Sequence, residues 1–262
     1  MSAGKAPGRS QAGRAAPLQW PYPLWIAHRG AGKLAPENTL AAFRLGAAHG
    51  YRAFECDVKL SADDLPFLLH DTTLERTTNG RGTAGDLPWA QLSQLDAGSW
   101  HGQSFAGEAL PTLSAMAAYI QRNDFCLNLE IKPTPGRETH TGRVVAEQVQ
   151  RLWAGQRVPP LLSSFRADAL KGAREVAPEL PRALLLDALS PGWFDVARDL
   201  GCVAVVTQHR LMNAQLIDQL HGAGWRALVY TVNDAHEVQR LLALGIDGII
   251  TDAVDRFAPA AQ

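Results

Sequence analysis

Cysteine is scarce in this chain. There are three, Cys56, Cys126 and Cys202, in 262 residues, and an odd number cannot pair off into a disulfide framework. All three fall in predicted strands, so they read as buried free thiols suited to a reducing compartment. None stands at Cys-x-x-Cys spacing and none joins a histidine at a zinc-site interval, which excludes the common thiolate metal centres. An excess of either charge is also missing. Against 26 Asp and Glu there are 25 Lys and Arg, a formal net charge of -1, so no broad basic face advertises nucleic acid and any anion must be bound locally. No run approaches the ~18 apolar residues of a membrane span, and the first twenty residues lack the apolar core of a secretory signal. That opening stretch carries Lys5, Arg9 and Arg14 without an acid, among Ala, Gly, Pro and Ser. Residues 1–20 are therefore expected to be a flexible tail, and the protein is expected to be cytoplasmic.

What the sequence does contain is alternation. Short β-rich runs at 24–28, 53–59, 65–70, 125–132, 160–165, 182–186, 202–207, 226–232 and 247–251 are separated mostly by helical patterns. The helices are expected at 38–49, 112–122, 138–153, 166–176, 191–200, 213–223 and 234–244. Such alternation implies a parallel sheet, and the length suits one (β/α)₈ barrel of about 250 residues spanning 21–262. Nine strands are one too many. Only about four residues, Ser61 to Asp64, separate the second run from the third, whereas a parallel crossover needs a dozen or more. Those two runs are expected to form an antiparallel hairpin, which would fold His70 back to the level of Cys56. The Gly-, Thr- and Trp-rich segment at about 72–111 then follows as a cap over the barrel mouth.

Charge appears in these strands where burial makes it costly. His28 and Arg29 end the first run, Glu55 and Asp57 lie in Ala53-Phe54-Glu55-Cys56-Asp57-Val58, and Glu130 and Lys132 lie in Leu127-Asn128-Leu129-Glu130-Ile131-Lys132. Because strand side chains alternate, Glu55 and Asp57 share one face while Phe54, Cys56 and Val58 share the other. Three carboxylates aimed into one interior repel one another unless a cation joins them, and an all-oxygen donor set suits Mg²⁺ or Ca²⁺. The positions at strand C-terminal ends match where barrel enzymes place their chemistry. Other features read as structural. Gly80 to Gly85 fits G-x-G-x-x-G but follows no strand and opens no helix, and Ser163 and Ser164 lack a nucleophile elbow. His209, just past the seventh strand, is a weaker candidate for the mouth.

The ordered motifs resemble those of the glycerophosphodiester phosphodiesterase family, in its cytoplasmic bacterial form. They are Ala27-His28-Arg29-Gly30 with Pro36-Glu37-Asn38-Thr39, Glu55-Cys56-Asp57-Val58, His70-Asp71 with Leu74-Arg76-Thr77-Thr78, and Leu129-Glu130-Ile131-Lys132. Weaker matches continue at Ser163-Ser164-Phe165, Tyr230-Thr231-Val232-Asn233 and Gly248 to Asp252, with Tyr230 where the family commonly has Trp. The resemblance implies a distorted (β/α)₈ barrel that hydrolyses glycerophosphodiesters to sn-glycerol 3-phosphate and an alcohol. It implies one divalent cation on Glu55, Asp57 and Glu130, catalytic His28 and His70, and phosphate contacts from Arg29 and Lys132, with Glu37 and Asn38 in support.

Elementary chemistry points the same way. Cleaving a phosphodiester needs one group to deprotonate the attacking oxygen and one to protonate the departing alkoxide, and histidine near neutral pH suits both. Three carboxylates, one divalent cation, Arg29 and Lys132 leave a single positive charge for a phosphodiester anion. The resemblance makes the expected partner a small glycerophosphodiester, and the balanced charge gives no reason to expect nucleic acid. A lysophospholipase D or phospholipase C-like activity on lipids is the alternative, with only the Trp89 and Trp100 region offering an apolar rim.

Overall fold

A computed structural model describes residues 20–257 and 259, so the expected tail lies outside the described residues except for Trp20. The strands are β1 (Trp25–Ala27), β2 (Ala53–Leu60), β3 (Pro66–Leu68), β4 (Cys126–Ile131), β5 (Leu161–Ser164), β6 (Arg182–Leu186), β7 (Ala204–Gln208), β8 (Arg226–Tyr230) and β9 (Gly248–Thr251). The helices are α1 (Leu40–Ala48), α2 (Trp89–Leu92), α3 (Leu113–Arg122), α4 (Glu138–Leu152), α5 (Ala167–Val176), α6 (Trp193–Asp199), α7 (Ala214–Gly222) and α8 (Ala235–Ala243). The sheet order is β1-β9-β8-β7-β6-β5-β4-β2-β3, and β1 also pairs with β2. Eight parallel strands therefore close on themselves as a (β/α)₈ barrel. The ninth, β3, runs antiparallel to β2, with Val58 opposite Leu68 and Leu60 opposite Pro66. Continuing that register puts His70 level with Cys56, and Leu69 N–H still donates to Asp57 O at 3.1 Å.

Alternation decides what each strand buries. The faces of β2 and β4 that carry Phe54, Cys56, Val58, Leu127, Leu129 and Ile131 pack outward against Phe43, Leu113, Met116 and Val145 of the surrounding helices. Inside the barrel, Ile26, Ala53, Leu161, Leu185, Val206, Leu228 and Ile250 fill the lower half. The inward positions nearer the strand C-termini are Glu55, Asp57 and Glu130, all buried. Burial of this apolar surface, at about 25 cal/mol per Å², is what holds the polar layer rigidly in place.

Helix starts follow their caps. Thr39 accepts from Ala42 N–H at the head of α1, and Asn213 and Asp234 cap α7 and α8 in the same way. One placement differs from the sequence reading: Cys202 sits two residues before β7, not in it, because Gly201 and Cys202 still complete the turn that ends α6. Cys126 opens β4 only half-buried. Between β3 and α3 the chain forms no barrel strand, only α2 and two 3₁₀ turns. This segment shares a small apolar cluster, including Leu74, Ala84, Leu92 and Leu110, with Phe67 and Leu69 of the hairpin. Among the described residues no helix is long and apolar enough to cross a membrane.

Candidate active site

Glu55, Asp57 and Glu130 converge from neighbouring strands, with Asp57 and Glu130 directly paired in register. Each offers an oxygen, and the three oxygens lie within 4.8 Å of one another. Burial, reinforced by Asp57 and Glu130, pushes the Glu55 carboxyl well up; burial and Asp57 push Glu130 up to about 7. Burial pushes Asp57 up too, but Arg29, His70, Lys132 and a hydrogen bond from Asn38 outweigh it, so its carboxyl stays below the ordinary range. Glu55 Oε1 and Asp57 Oδ1 are buried with no hydrogen-bond partner. Orphaned, mutually repelling oxygens with no sulfur or nitrogen donor among them fit a hard divalent cation.

The loop after β1 wraps this trio. Arg29 N–H donates to Glu55 Oε2 at 3.0 Å, Arg29 Nε stands 3.3 Å from Asp57 Oδ2, and Arg29 Nη1 donates to Glu37 Oε1 at 2.8 Å. Asn38 grips Asp57 twice, its amide donating to Oδ2 at 2.8 Å and its carbonyl accepting from Asp57 N–H at 3.0 Å. Arg29 and Asn38 both adopt positive φ, 49° and 61°, a conformation that non-glycine residues reach only where surrounding contacts hold them. On the far side, Lys132 Nζ stands 3.0 Å from Glu130 Oε1.

Both histidines stand beside the trio, His28 near Glu55 and His70 near Asp57. His28 Nδ1 lies 2.6 Å from Asp252 Oδ1, and its Nε2 lies 3.8 Å from Glu55 Oε2. His70 Nδ1 lies 2.7 Å from Asp71 Oδ1. A ring nitrogen facing a carboxylate carries the proton, which leaves each Nε2 as the atom that can exchange one. Burial lowers the His70 pKa and nearby Asp57 only partly restores it.

Several participants went unassigned in the sequence reading. Asp252 is fixed by Asn233, whose amide donates to Oδ2 at 3.1 Å and whose carbonyl accepts Asp252 N–H at 2.9 Å. Both belong to the weaker motif matches, and only the closing of β8 and β9 beside β1 shows what they face. Arg76 forks onto both Asp71 and Glu37, with contacts of 2.5 to 2.9 Å, tying the His70 side to the Arg29 side. Lys59 shares the inward face of Glu55 and Asp57, a parity visible in the sequence; burial beside Lys132 pushes its ammonium down to about 8. His209 is turned to Glu237, 2.7 Å away, which Arg240 also holds. Ser164 Oγ is spent on Ile131 O and Arg166 N–H.

A family model described as the glycerophosphoryl diester phosphodiesterase family matches residues 28–256. The chain belongs to that family. A glycerophosphodiester phosphodiesterase of Caldanaerobacter subterraneus is 33% identical over 233 residues, covering 87% of this chain and 93% of that protein. Among solved structures, an Oleispira antarctica phosphodiesterase in complex with the product sn-glycerol-3-phosphate superposes with a TM-score of 0.85 at 36% identity. That match covers 90% of this chain and 95% of the other. The Agrobacterium tumefaciens glycerophosphodiester phosphodiesterase follows at 0.77 and 30%, covering 90% and 99%. This glycerophosphodiester phosphodiesterase is thus an enzyme of the phosphoric diester hydrolase class.

Proposed function

We propose that the enzyme hydrolyses glycerophosphodiesters to sn-glycerol 3-phosphate and a free alcohol, using His28 and His70 as an acid-base pair around one Mg²⁺ or Ca²⁺. The observation that carries this reading is the pair of aspartate-oriented histidines beside three converging carboxylates. Glu55, Asp57 and Glu130 would hold the cation, which when bound supplies neutralisation of phosphoryl oxygens and a lower pKa for a nearby hydroxyl. Arg29 and Lys132 present guanidinium and ammonium groups to the phosphodiester. Glu37 fixes Arg29, and Asn38 fixes Asp57.

In the first step one neutral Nε2 takes the proton of the attacking oxygen while the other histidine, protonated, gives its proton to the departing alkoxide. The P–O bond to the alcohol breaks as the new P–O bond forms. The attacking oxygen is the substrate's own glycerol 2-hydroxyl, already held beside phosphorus, so the first product is a cyclic phosphate that water opens with the histidine roles exchanged. Intramolecular placement of this kind removes several kcal/mol of barrier, up to about 7 to 11 in ideal cases. The segment 72–111 serves as a cap, and the free thiols support a cytoplasmic setting. The cavity beside His70 sets Thr72, Thr73, Lys132 and Arg166 among its lining, groups suited to a water-soluble headgroup.

The test is product release from a panel of glycerophosphodiesters and lysophospholipids, with and without EDTA. Release of sn-glycerol 3-phosphate that stops on chelation and returns with Mg²⁺ or Ca²⁺ is expected. Undiminished turnover after exhaustive chelation would refute the metal role, and cleavage of lysophospholipids alone would refute the substrate.

A further inference from the structure

A cavity of about 480 Å³ opens beside the carboxylate trio, between the segment after β3 and the ends of β4 and β5. Its floor holds an unusual group. Lys59 lines it, the residue is only 1% exposed, and its ammonium donates to a single acceptor, Lys132 O, at 3.1 Å. Among the described residues it forms no ion pair; its cross-strand neighbour is the cation Lys132, and the acids acting on it are Asp57, Asp71 and Glu130. A buried ammonium with three donors and one backbone acceptor is incompletely satisfied, which is costly unless an anion arrives.

The barrel register explains the placement. Asp57 pairs with Glu130 and Val58 with Ile131, so the next position along puts Lys59 beside Lys132. Two residues of strand carry the backbone of these lysines about 6.6 Å beyond that of the acids, toward the mouth, although Lys132 Nζ returns to 3.0 Å from Glu130 Oε1. At the rim of the same cavity stands Arg166, which also bonds Glu138 Oε1 at 3.2 Å. The acids bordering the cavity are already engaged: Asp71 by the Arg76 fork, Glu130 by Lys132 and the metal cluster. The one aromatic wall, Phe165, has the Lys132 ammonium over its ring at 5.6 Å from the centroid. A trimethylammonium headgroup would compete with that lysine for the only ring face and would meet two further cations.

We propose that this cavity receives the leaving alcohol, and that Lys59 and Arg166 select alcohols bearing a second anionic group, a phosphomonoester or a carboxylate. The inference rests on the phosphodiesterase reading above and adds its substrate class. The scissile phosphate sits at the acidic trio and the second anion reaches Lys59 and Arg166.

The experiment compares kcat/KM for glycerophosphodiesters whose leaving alcohol is choline, serine, glycerol, or glycerol carrying a terminal phosphomonoester, at low and high salt. The doubly anionic substrate should exceed the choline substrate at least tenfold at low salt, with the preference shrinking as salt rises. Serine supplies the carboxylate arm and should fall between. Lys59→Met and Arg166→Glu are read by the ratio of the anionic to the choline substrate, which should drop about tenfold in each. If Lys59→Met fails to fold, Arg166→Glu at the exposed rim carries the result. A wild-type preference for choline, or variants that slow every substrate equally and leave the ratio intact, would overturn the proposal. Failure to release glycerol 3-phosphate from any substrate would instead overturn the phosphodiesterase reading itself.

Discussion

Replacing Glu130 by Gln should stabilise the metal-free protein while destroying its activity. Without a cation, burial and Asp57 hold the Glu130 carboxyl near 7, against an ordinary 4.5. The folded state therefore keeps a proton that the unfolded chain has released between those pH values, so stability falls as pH rises through 4.5 to 7 and stays low above it. At roughly 1.4 kcal/mol per pH unit, that gap amounts to about 3 kcal/mol. Gln mimics the protonated acid and escapes this loss. With an unfolding entropy of about 2.1 cal/mol/K per residue, the expected gain in Tm at pH 8 in EDTA is roughly 6 °C. The assay is thermal unfolding of wild type and variant side by side at pH 4.5, 6 and 8, first in EDTA and then with saturating Mg²⁺ or Ca²⁺. The gap should vanish at pH 4.5, grow to pH 8, and reverse when the cation stabilises only the wild type. A variant less stable than wild type at pH 8 in EDTA, or a gap indifferent to pH, would refute the idea of unrelieved carboxylate repulsion.

Three further outcomes are expected. His28→Ala and His70→Ala should each lower kcat by roughly 10² to 10⁴-fold with the barrel intact by circular dichroism, and the wild-type pH profile should be bell-shaped; a near-normal rate for either variant would remove that histidine from the mechanism. A substrate analogue lacking the glycerol 2-hydroxyl should bind yet resist cleavage, whereas hydrolysis at the normal rate would show that water attacks directly. Gly32→Ala should destabilise by more than about 1 kcal/mol and impair turnover. Gly32 has φ +58°, and a Cβ there would lie 2.1 Å from Asp252 O, displacing the partner of His28; an unchanged Tm and rate would contradict this.

The hairpin was legible because chain length forbids any alternative: four residues cannot cross a sheet, so β3 must turn back, and the level of His70 follows from counting. The inward aim of Glu55, Asp57 and Glu130 followed from a period of two. Asp252 and Asn233 were harder to see, since their role depends on β8 and β9 meeting β1, a long-range event with no local periodicity. Arg76 stood in a recognised motif, yet its double fork joins two loops whose approach is set by the hairpin. Lys59 had the right parity all along, but one lysine at a strand end carries no signal until Lys132 is known to stand beside it.

The pairing of β1 with β9 has a bearing on how the enzyme comes into being. His28 and Asp252 are 224 positions apart, and the contact that orients the ring forms only when the last strand is laid against the first. Contacts of such long range form late, after the local βα units. During synthesis, then, the orienting contact on His28 cannot form until β9 has emerged. A chain clipped before β9 would lose His28's aspartate together with the barrel's closure, so proteolytic remnants would be silent in a single step, with no graded decline.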